Sequence, residues 1–565
     1  MSSTLTASYI IKTVPTYQKL RGGYYTPKAI CDFLAQWAIR DRNATVLEPS
    51  CGDGNLLVAA AEVLRSKGAR PQEVAKNIHG VEIEESEALK AAARLKEIGI
   101  PPHPGQIESG DFFAYCKKHL SDKRLFDAII GNPPFIRYQN FLEEQRQPAF
   151  DLMARAGLKP NRLTNAWVPF ILASSLLLNE QGRLAMVIPA ELLQVKYAAA
   201  LRRFISDYYS RVTLITFKSL VFEEIQQEIV LFLGERGHSA HTGIRTFELD
   251  DISDLYSYNH EKVARGEVKP LDHSADKWTQ YFLHTPEIEL LREMRAHPQL
   301  THSGQVIDVD VGVVTGLNKF FVLSEQQIQE EALEKYTERI VSRSGHLSGI
   351  VFGGDDWEAN VKKQFPSFLL RPPDVPFEKL PKPLKKYTAK GEKEEVHKGY
   401  KCRIRNRWYI VPSVWTPDAF MLRQIHDYPK IIVNEAAATC TDTIHRVRVR
   451  NGEPARTIAL AFLNSLTFAF AEVVGRSYGG GVLELEPNEA EDIPLPLKGA
   501  EQLDFDYIHT LLLENKTDAV LDITDNVLLV EGLGLTRKDA KSLRRIWKTL
   551  RDRRINRKHK SKTPV

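Results

Sequence analysis

At 565 residues, 43% hydrophobic and 26% charged, the chain has the composition of a globular protein too long for one core, so two or three domains are expected. The five scattered cysteines, none at C-x-x-C spacing, argue against a zinc site or a disulfide framework. The stretch Met1 to Thr13 carries no secretory pattern, and both features suit a reducing cytoplasm. The net charge of +4 is unevenly spread, with its positive part at the carboxyl end.

Up to about residue 235 short apolar strands alternate with helical patterns. Ala44–Glu48, Ile78–Ile83, Phe126–Ile130, Leu184–Pro189 and Val212–Phe217 read as strands. Leu56–Leu64, Ser86–Ile98, Asn165–Leu178 and Leu192–Ile205 read as helices between them. The alternation predicts an α/β, doubly wound, mostly parallel sheet. Ile229–Leu233, reached by a short link, predicts an antiparallel edge strand.

Along this sheet, residues 46–55 run from a strand through Glu48-Pro49-Ser50-Cys51-Gly52-Asp53-Gly54 into a helix. The glycines allow a tight turn and close approach to a ligand. The turn has neither dinucleotide spacing nor a Walker lysine, so it is no phosphate loop. Glu48 and Asp53 suit a small cationic ligand, although such a turn can also be purely structural. The next strand ends Glu82-Ile83-Glu84, where α/β nucleotide binders hold ribose hydroxyls; a solvated carboxylate fits Glu82 equally well. Gly110-Asp111-Phe112 puts a carboxylate beside an aromatic at the third strand's end. Asp111 suits an adenine amino group, and Phe112 fits either a ring cover or the core.

The most informative segment is 126–135, a buried strand opening into Asn132-Pro133-Pro134-Phe135. The prolines fix φ and remove two donors, so a rigid turn presents acceptors. The Asn132 side-chain carbonyl and the Pro133 backbone carbonyl can together accept from one NH2 group. A conjugated amino nitrogen is a poor nucleophile, and holding its hydrogens out of plane localises the lone pair. Phe135 offers a flat face to a ring, and placement carries most of the rate.

After Gly237 the regularity fades. A mixed α+β domain is expected at 241–500, following a first domain at 1–240. Ile493–Leu497 reads as its exit linker, and 501–565 as a helical segment with a basic tail. Ile458–Val474, interrupted by Asn464, Ser465 and Glu472, reads as a buried helix and not a membrane span. Arg403, Arg405, Arg407, Trp408 and Tyr409 interleave cations with aromatics, which suits phosphate and base contacts or the basic outer face of a strand. From Arg537 to Lys562 thirteen Lys and Arg stand against Asp539 and Asp552, an excess of +11 that leaves −7 for the rest. That tail suits a polyanion; alternatively Leu543, Ile546, Trp547 and Leu550, on one helical face, brace it against the body.

The order of these segments resembles the gamma class of DNA adenine-N6 methyltransferases of type II restriction–modification systems. The resemblance covers about residues 21–235 and begins with Gly22-Gly23-Tyr24-Tyr25-Thr26-Pro27. It implies S-adenosylmethionine as cofactor, with Tyr25 and Thr26 at its methionine part and Glu48, Ser50, Cys51 and Gly52 against it. Glu82 would hold the ribose and Asp111 the cofactor adenine, with Ile83 and Phe112 also against the cofactor. Asn132, Pro133 and Phe135 would hold the target adenine, and Phe222, in Val221-Phe222-Glu223-Glu224-Ile225, would stack on it once flipped. Gly312–Phe321 and Tyr478–Gly481 resemble segments of a target-recognition domain. The implied partners are double-stranded DNA and a separately encoded cognate restriction endonuclease, with the chain a monomer free of membranes. Asn-Pro-Pro-aromatic also occurs in protein-glutamine N5-methyltransferases and some RNA N-methyltransferases. The former are typically much shorter and lack a large C-terminal domain.

Overall fold

A computed structural model describes residues 26–556, apart from 137–139, 141–142, 161–163, 223–227, 238–241, 259, 272–276 and 479. Gly22–Tyr25 and the residues after 556 lie outside the described residues. The chain divides into two compact units, one up to Phe282 and one from Leu283.

In the first unit helix α1 (Lys28–Ala38) precedes the alternation β1 (Val46–Glu48), α2 (Asn55–Ser66), β2 (Ile78–Glu82), α3 (Glu85–Glu97), β3 (Ile107–Ser109), α4 (Phe112–Ser121) and β4 (Phe126–Gly131). There follow α5 (Glu143–Arg155), α6 (Trp167–Leu176), β5 (Leu178–Pro189), α7 (Ala199–Tyr208), β6 (Arg211–Phe217), β7 (Ile229–Glu235) and β8 (Gly243–Leu249). They form one eight-stranded sheet in the order β3-β2-β1-β4-β5-β7-β6-β8. Its central strands are apolar runs without alternation because helices cover both faces; Ile129, Ile130, Leu184, Val187 and Leu231 are fully buried. β1, β2, β3, β4 and β5 pair in parallel, so the doubly wound reading holds.

Two expectations need correction. β7 is antiparallel as predicted, but it is no edge: it lies between β5 and β6, and β8 closes that side by pairing in parallel with β6. With β8 and the turns up to Phe282 in the first unit, the division falls at 282/283 and not at 240. The polar Arg245, Thr246 and Glu248 mask β8 as a strand in the sequence.

The second unit contains a five-stranded sheet, in the order Ile307–Val311, Ile444–Val449, Ala419–Leu422, Ile431–Asn434 and Val351–Phe352, together with smaller sheets and helices. The apolar run 458–474 is two helices, Ala455–Ala461 and Ser465–Val474, bent by 80°. Asn464 makes the break: its side chain accepts from the Thr467 N–H at 2.9 Å and so starts the second helix. Both helices are largely buried, and among the described residues no single helix is long and apolar enough to cross a membrane. The expected linker at 493–497 is folded in, since Pro494–Leu495 pairs antiparallel with Thr301–His302 and Leu495 is fully buried. The expected separate segment 501–565 also belongs, through Asn556, to this unit. Its last helix, Arg537–Ile555, buries Leu543, Ile546, Trp547 and Leu550.

Candidate active site

In the first sheet β1 leads outward to β2 and β3, while β4 lies on the other side of β1. Ligands of open α/β sheets bind at such a switch point, beyond the carboxyl ends of the strands. Glu48 ends β1, Glu82 ends β2, and Asn132 follows β4 directly. Their spacing comes from the register, which sets Glu48 beside Gly80, Glu82 beside Ser109 and Leu47 beside Ile129.

The glycine turn is fastened to the neighbouring strand. The Cys51 N–H donates to the Val81 carbonyl at 2.9 Å, and the Gly52 N–H to Glu82 Oε2 at 2.8 Å. Gly54 has φ +86°, and a Cβ there would stand 2.9 Å from the Ala91 backbone, so only glycine lets α2 begin so close to α3. The Glu84 N–H donates to Glu82 Oε1 at 2.9 Å. Each Glu82 oxygen thus takes one backbone donor, which holds the carboxylate in place at the strand end. Ile83 beside it is one of few large apolar side chains left exposed, at 47%. Gly110 donates to the Glu82 carbonyl at 2.9 Å, which draws Asp111 to the same strand end.

Four carboxylates gather here, Glu82 with Glu48, Asp53 and Asp111. Glu48 is buried and its Oε2 has no hydrogen-bond partner among the described residues. Burial first, then the Glu82 and Asp53 charges, push its pKa well above the usual carboxylate range. Asp53 is paired with Arg94 at 2.6 Å; burial raises its pKa and Arg94 opposes the rise. Burial also raises Asp111, whose side chain accepts from the Ala114 N–H at 2.8 Å and caps α4. A buried carboxylate oxygen without a donor, among like charges, fits a cationic ligand with hydroxyl groups. Among the described residues no group of three or more His, Cys, Asp or Glu suits a metal ion.

On the β4 side, Asn132 Nδ2 donates to Thr26 Oγ1 at 3.2 Å, which turns the amide so that its carbonyl is the acceptor end. Ser50 Oγ donates to the Asn132 backbone carbonyl at 3.4 Å and ties the two turns together. Pro133 is buried. Phe135 and Val221 pack, partly buried, on the core cluster that contains Phe222 together with residues of α1, β1 and β4. The structure therefore brings Thr26, Glu48, Ser50, Cys51, Gly52, Glu82, Ile83, Asp111 and Asn132 to one end of the sheet. Phe112 is buried and stacked on Phe170, with ring centroids 5.2 Å apart. Tyr25 lies outside the described residues. Sequence reasoning missed Arg94, which no periodic signal marks, and the Thr26–Asn132 bond across 106 positions.

In the second unit the 403–409 segment is a short helix end and turns, not a strand. Arg405 Nη2 donates to the carbonyls of Val314 at 2.9 Å and Thr315 at 2.8 Å. Arg407 is paired with Asp374. Trp408 packs on Phe320 and Phe321, and the Tyr409 hydroxyl donates to the Val375 carbonyl at 2.6 Å. Four of the five expected nucleic-acid contacts are thus built into the fold, and Arg403 is the exposed one. Part of the basic tail is likewise paired within the fold. Arg544, Arg545, Lys548, Arg551 and Arg554 pair with Asp525, Glu287, Asp518, Asp427 and Glu472 of the same unit.

Fold and site together define a doubly wound α/β sheet with an asparagine–proline turn and a glycine turn at its switch point. Residues 8–269 match the family model "N-6 DNA Methylase", and residues 275–529 that of the C-terminal domain of Type II methyltransferase M.Eco57I. Type II methyltransferase M.HindII of Haemophilus influenzae is 26% identical over 59% of this chain and 61% of its own length. Type II methyltransferase M.AccI of Acinetobacter calcoaceticus is 22% identical over 91% of this chain and 94% of its own. The solved structure of the Type IIL restriction–modification enzyme MmeI in complex with DNA shares the fold at a TM-score of 0.53 and 15% identity, over 91% of this chain and 73% of that one. Residues 8–269 are thus similar to N6-adenine DNA methylases, and the chain over most of its length to type II methyltransferases of restriction–modification systems.

Proposed function

We propose that the chain uses S-adenosylmethionine to methylate N6 of an adenine flipped out of double-stranded DNA, as a site-specific modification enzyme. The observation that carries this reading is the junction of the two turns: Asn132, fixed by Thr26 and Ser50, stands at the switch point beside the carboxylates Glu48 and Glu82. When bound, S-adenosylmethionine supplies an electrophilic methyl group on a sulfonium. Glu48 holds the positive end, Glu82 accepts from ribose hydroxyls, and Ile83 and Asp111 take the adenine end. The Asn132 side-chain carbonyl and the Pro133 carbonyl accept both hydrogens of the target amine and turn its lone pair toward the methyl group. Placement and water exclusion supply the rate, with no strong base required.

Extruding the target base costs a few kcal/mol, and stacking on Phe135 and Phe222 returns about 1–3 kcal/mol. The first unit is the catalytic domain and the second the target-recognition domain. A cognate endonuclease on a separate chain and a monomeric state complete the proposal. Asn132→Ala tests it: tritiated methyl transfer to DNA should fall by at least ~100-fold, the scale of removing one preorganised polar group at the reacting atoms. S-adenosylmethionine affinity should be unchanged. Near-normal turnover overturns the mechanism.

A further inference from the structure

The second unit leaves a group of large apolar side chains exposed in one place. Val314, Leu317, Tyr400 and Ile404 are 36%, 43%, 65% and 60% exposed. They sit on two segments packed on each other: Gly316 has φ +90°, and a Cβ there would stand 3.0 Å from Cys402 Sγ. Arg405 clips the segments together through the Val314 and Thr315 carbonyls. Beneath lies an aromatic layer, Phe320 stacked on Tyr387 at 4.7 Å with Trp408 at 5.4 Å, so the ridge is held on a rigid base. Beside it opens a cavity of about 490 Å³ lined by Val314, Lys401, Ile404, Asn406 and Ile410, among others.

The charge around the ridge is mostly positive, with Asp374 in the cavity wall paired to Arg407 and Glu395 paired to Lys398. Residues 398–407 contain five cations and no acid, and 312–321 add Lys319. Arg405 and Arg407 are used internally, as described. Lys319, Lys401 and Arg403 are exposed and form no ion pair among the described residues. Isolated exposed apolar residues need no explanation, but a ridge of four rimmed by cations marks an interaction surface.

We propose that this ridge is a base-contacting edge of the second unit on duplex DNA. Ile404, Leu317, Val314 and Tyr400 press on bases in a groove, where apolar side chains meet thymine methyls or wedge into base steps. Lys319, Lys401 and Arg403 neutralise the flanking phosphates. Arg405 is a positioning residue and touches no DNA. The inference rests on the DNA reading above and adds which residues separate one sequence from another.

The test compares Leu317→Ser/Ile404→Ser with Lys401→Ala/Arg403→Ala in the full chain; all four side chains are exposed, and unchanged melting temperatures establish folding. Binding is measured to the sequence the wild type methylates or, failing that, to the duplex it selects from a random pool, and to unrelated duplex, across a salt series. The apolar pair should bind the selected sequence about tenfold or more weakly, the cost of one poor base contact. It should keep its unrelated-DNA affinity and its salt slope. The cationic pair should weaken all duplexes alike and flatten the slope by about 0.9 for each phosphate no longer neutralised. Wild-type affinity for the selected sequence in the apolar pair overturns the ridge, as does equal weakening on every duplex. So does DNA binding unchanged in both variants while binding to anionic phosphatidylserine vesicles disappears, which would make the surface a membrane contact. Because binding is read separately from methyl transfer, a wild type that binds selectively without methylating would sink the methyltransferase reading and leave the ridge standing.

Discussion

The strand ends of the first unit and the cationic segments of the second each carry several chemically loaded residues within a short stretch, yet only the former lie where the pattern points. At the end of β4, asparagine and two prolines restrict the backbone so tightly that the turn has few alternative uses. Glycines at 52 and 54, at φ +49° and +86°, do the same for the β1 turn. Around 403–409 and along the last helix, the pattern is mainly charge. An arginine carries five donors, and the folded chain spends them on its own carbonyls and carboxylates. Motifs built on backbone restriction are therefore legible, whereas charge composition leaves open whether a cation serves a ligand or the fold.

Substitutions sharpen that contrast. The largest effect is expected at Arg554, which is buried against Glu472 at 2.6 Å and donates to the His426 carbonyl at 2.9 Å. Arg554→Met leaves Glu472 buried without its partner and should cost about 3–5 kcal/mol of stability. Calorimetric unfolding checks it, and Glu472→Gln added to that variant should recover part of the loss. A melting temperature unmoved by Arg554→Met would return the last helix to the status of a ligand-binding tail.

Arg405→Ala removes three bonds to backbone carbonyls, of Val314, Thr315 and Trp408, and should cost about 1–3 kcal/mol. Faster amide hydrogen exchange at 312–318 would locate the loss. Uniform protection there would contradict the brace.

In the first unit the informative variable is pH. The folded-state pKa of Glu48 is raised above its unfolded value, chiefly by burial. The stability linked to its neutral form is therefore fully present below the unfolded pKa and is lost as pH rises through the raised one. A sulfonium ligand favours the ionised form, so S-adenosylmethionine binding should tighten as pH rises through the same range, by at most about tenfold per pH unit. Calorimetry in buffers of different ionisation enthalpy should record proton release on binding, and Glu48→Gln should abolish it. Binding that releases no proton in the wild type would remove Glu48 from the cofactor site.

The smallest effect belongs to Arg403, exposed and unpaired among the described residues: Arg403→Ala should change stability by less than about 0.5 kcal/mol. A larger loss in thermal unfolding would place it with Arg405.

These contrasts also mark how far the sequence can be read. Parallel strands, the antiparallel β7 and the strand-end site follow from apolar runs and from turn residues whose φ is fixed. β8 escapes the pattern because Arg245, Thr246 and Glu248 interrupt its apolar run, and without it β7 looks like an edge. The break at Asn464 is visible in the sequence, but its meaning, a helix cap inside a buried run, depends on a hydrogen bond that composition does not reveal. Within the site, the residue types of Asn132, Glu48 and Glu82 point to chemistry. The bonds that aim them, Thr26 to Asn132 and Gly52 to Glu82, join positions far apart in sequence and become visible only with the sheet in place.

The central claim is that the turn after β4 holds an adenine amine. Methylation-aware sequencing of DNA from cells that express the chain tests it most directly. The account predicts N6-methyladenine at one recurring sequence, abolished by Asn132→Ala in a chain that still folds and binds S-adenosylmethionine. DNA without N6-methyladenine despite a folded wild-type chain, or the same pattern from Asn132→Ala, would contradict it.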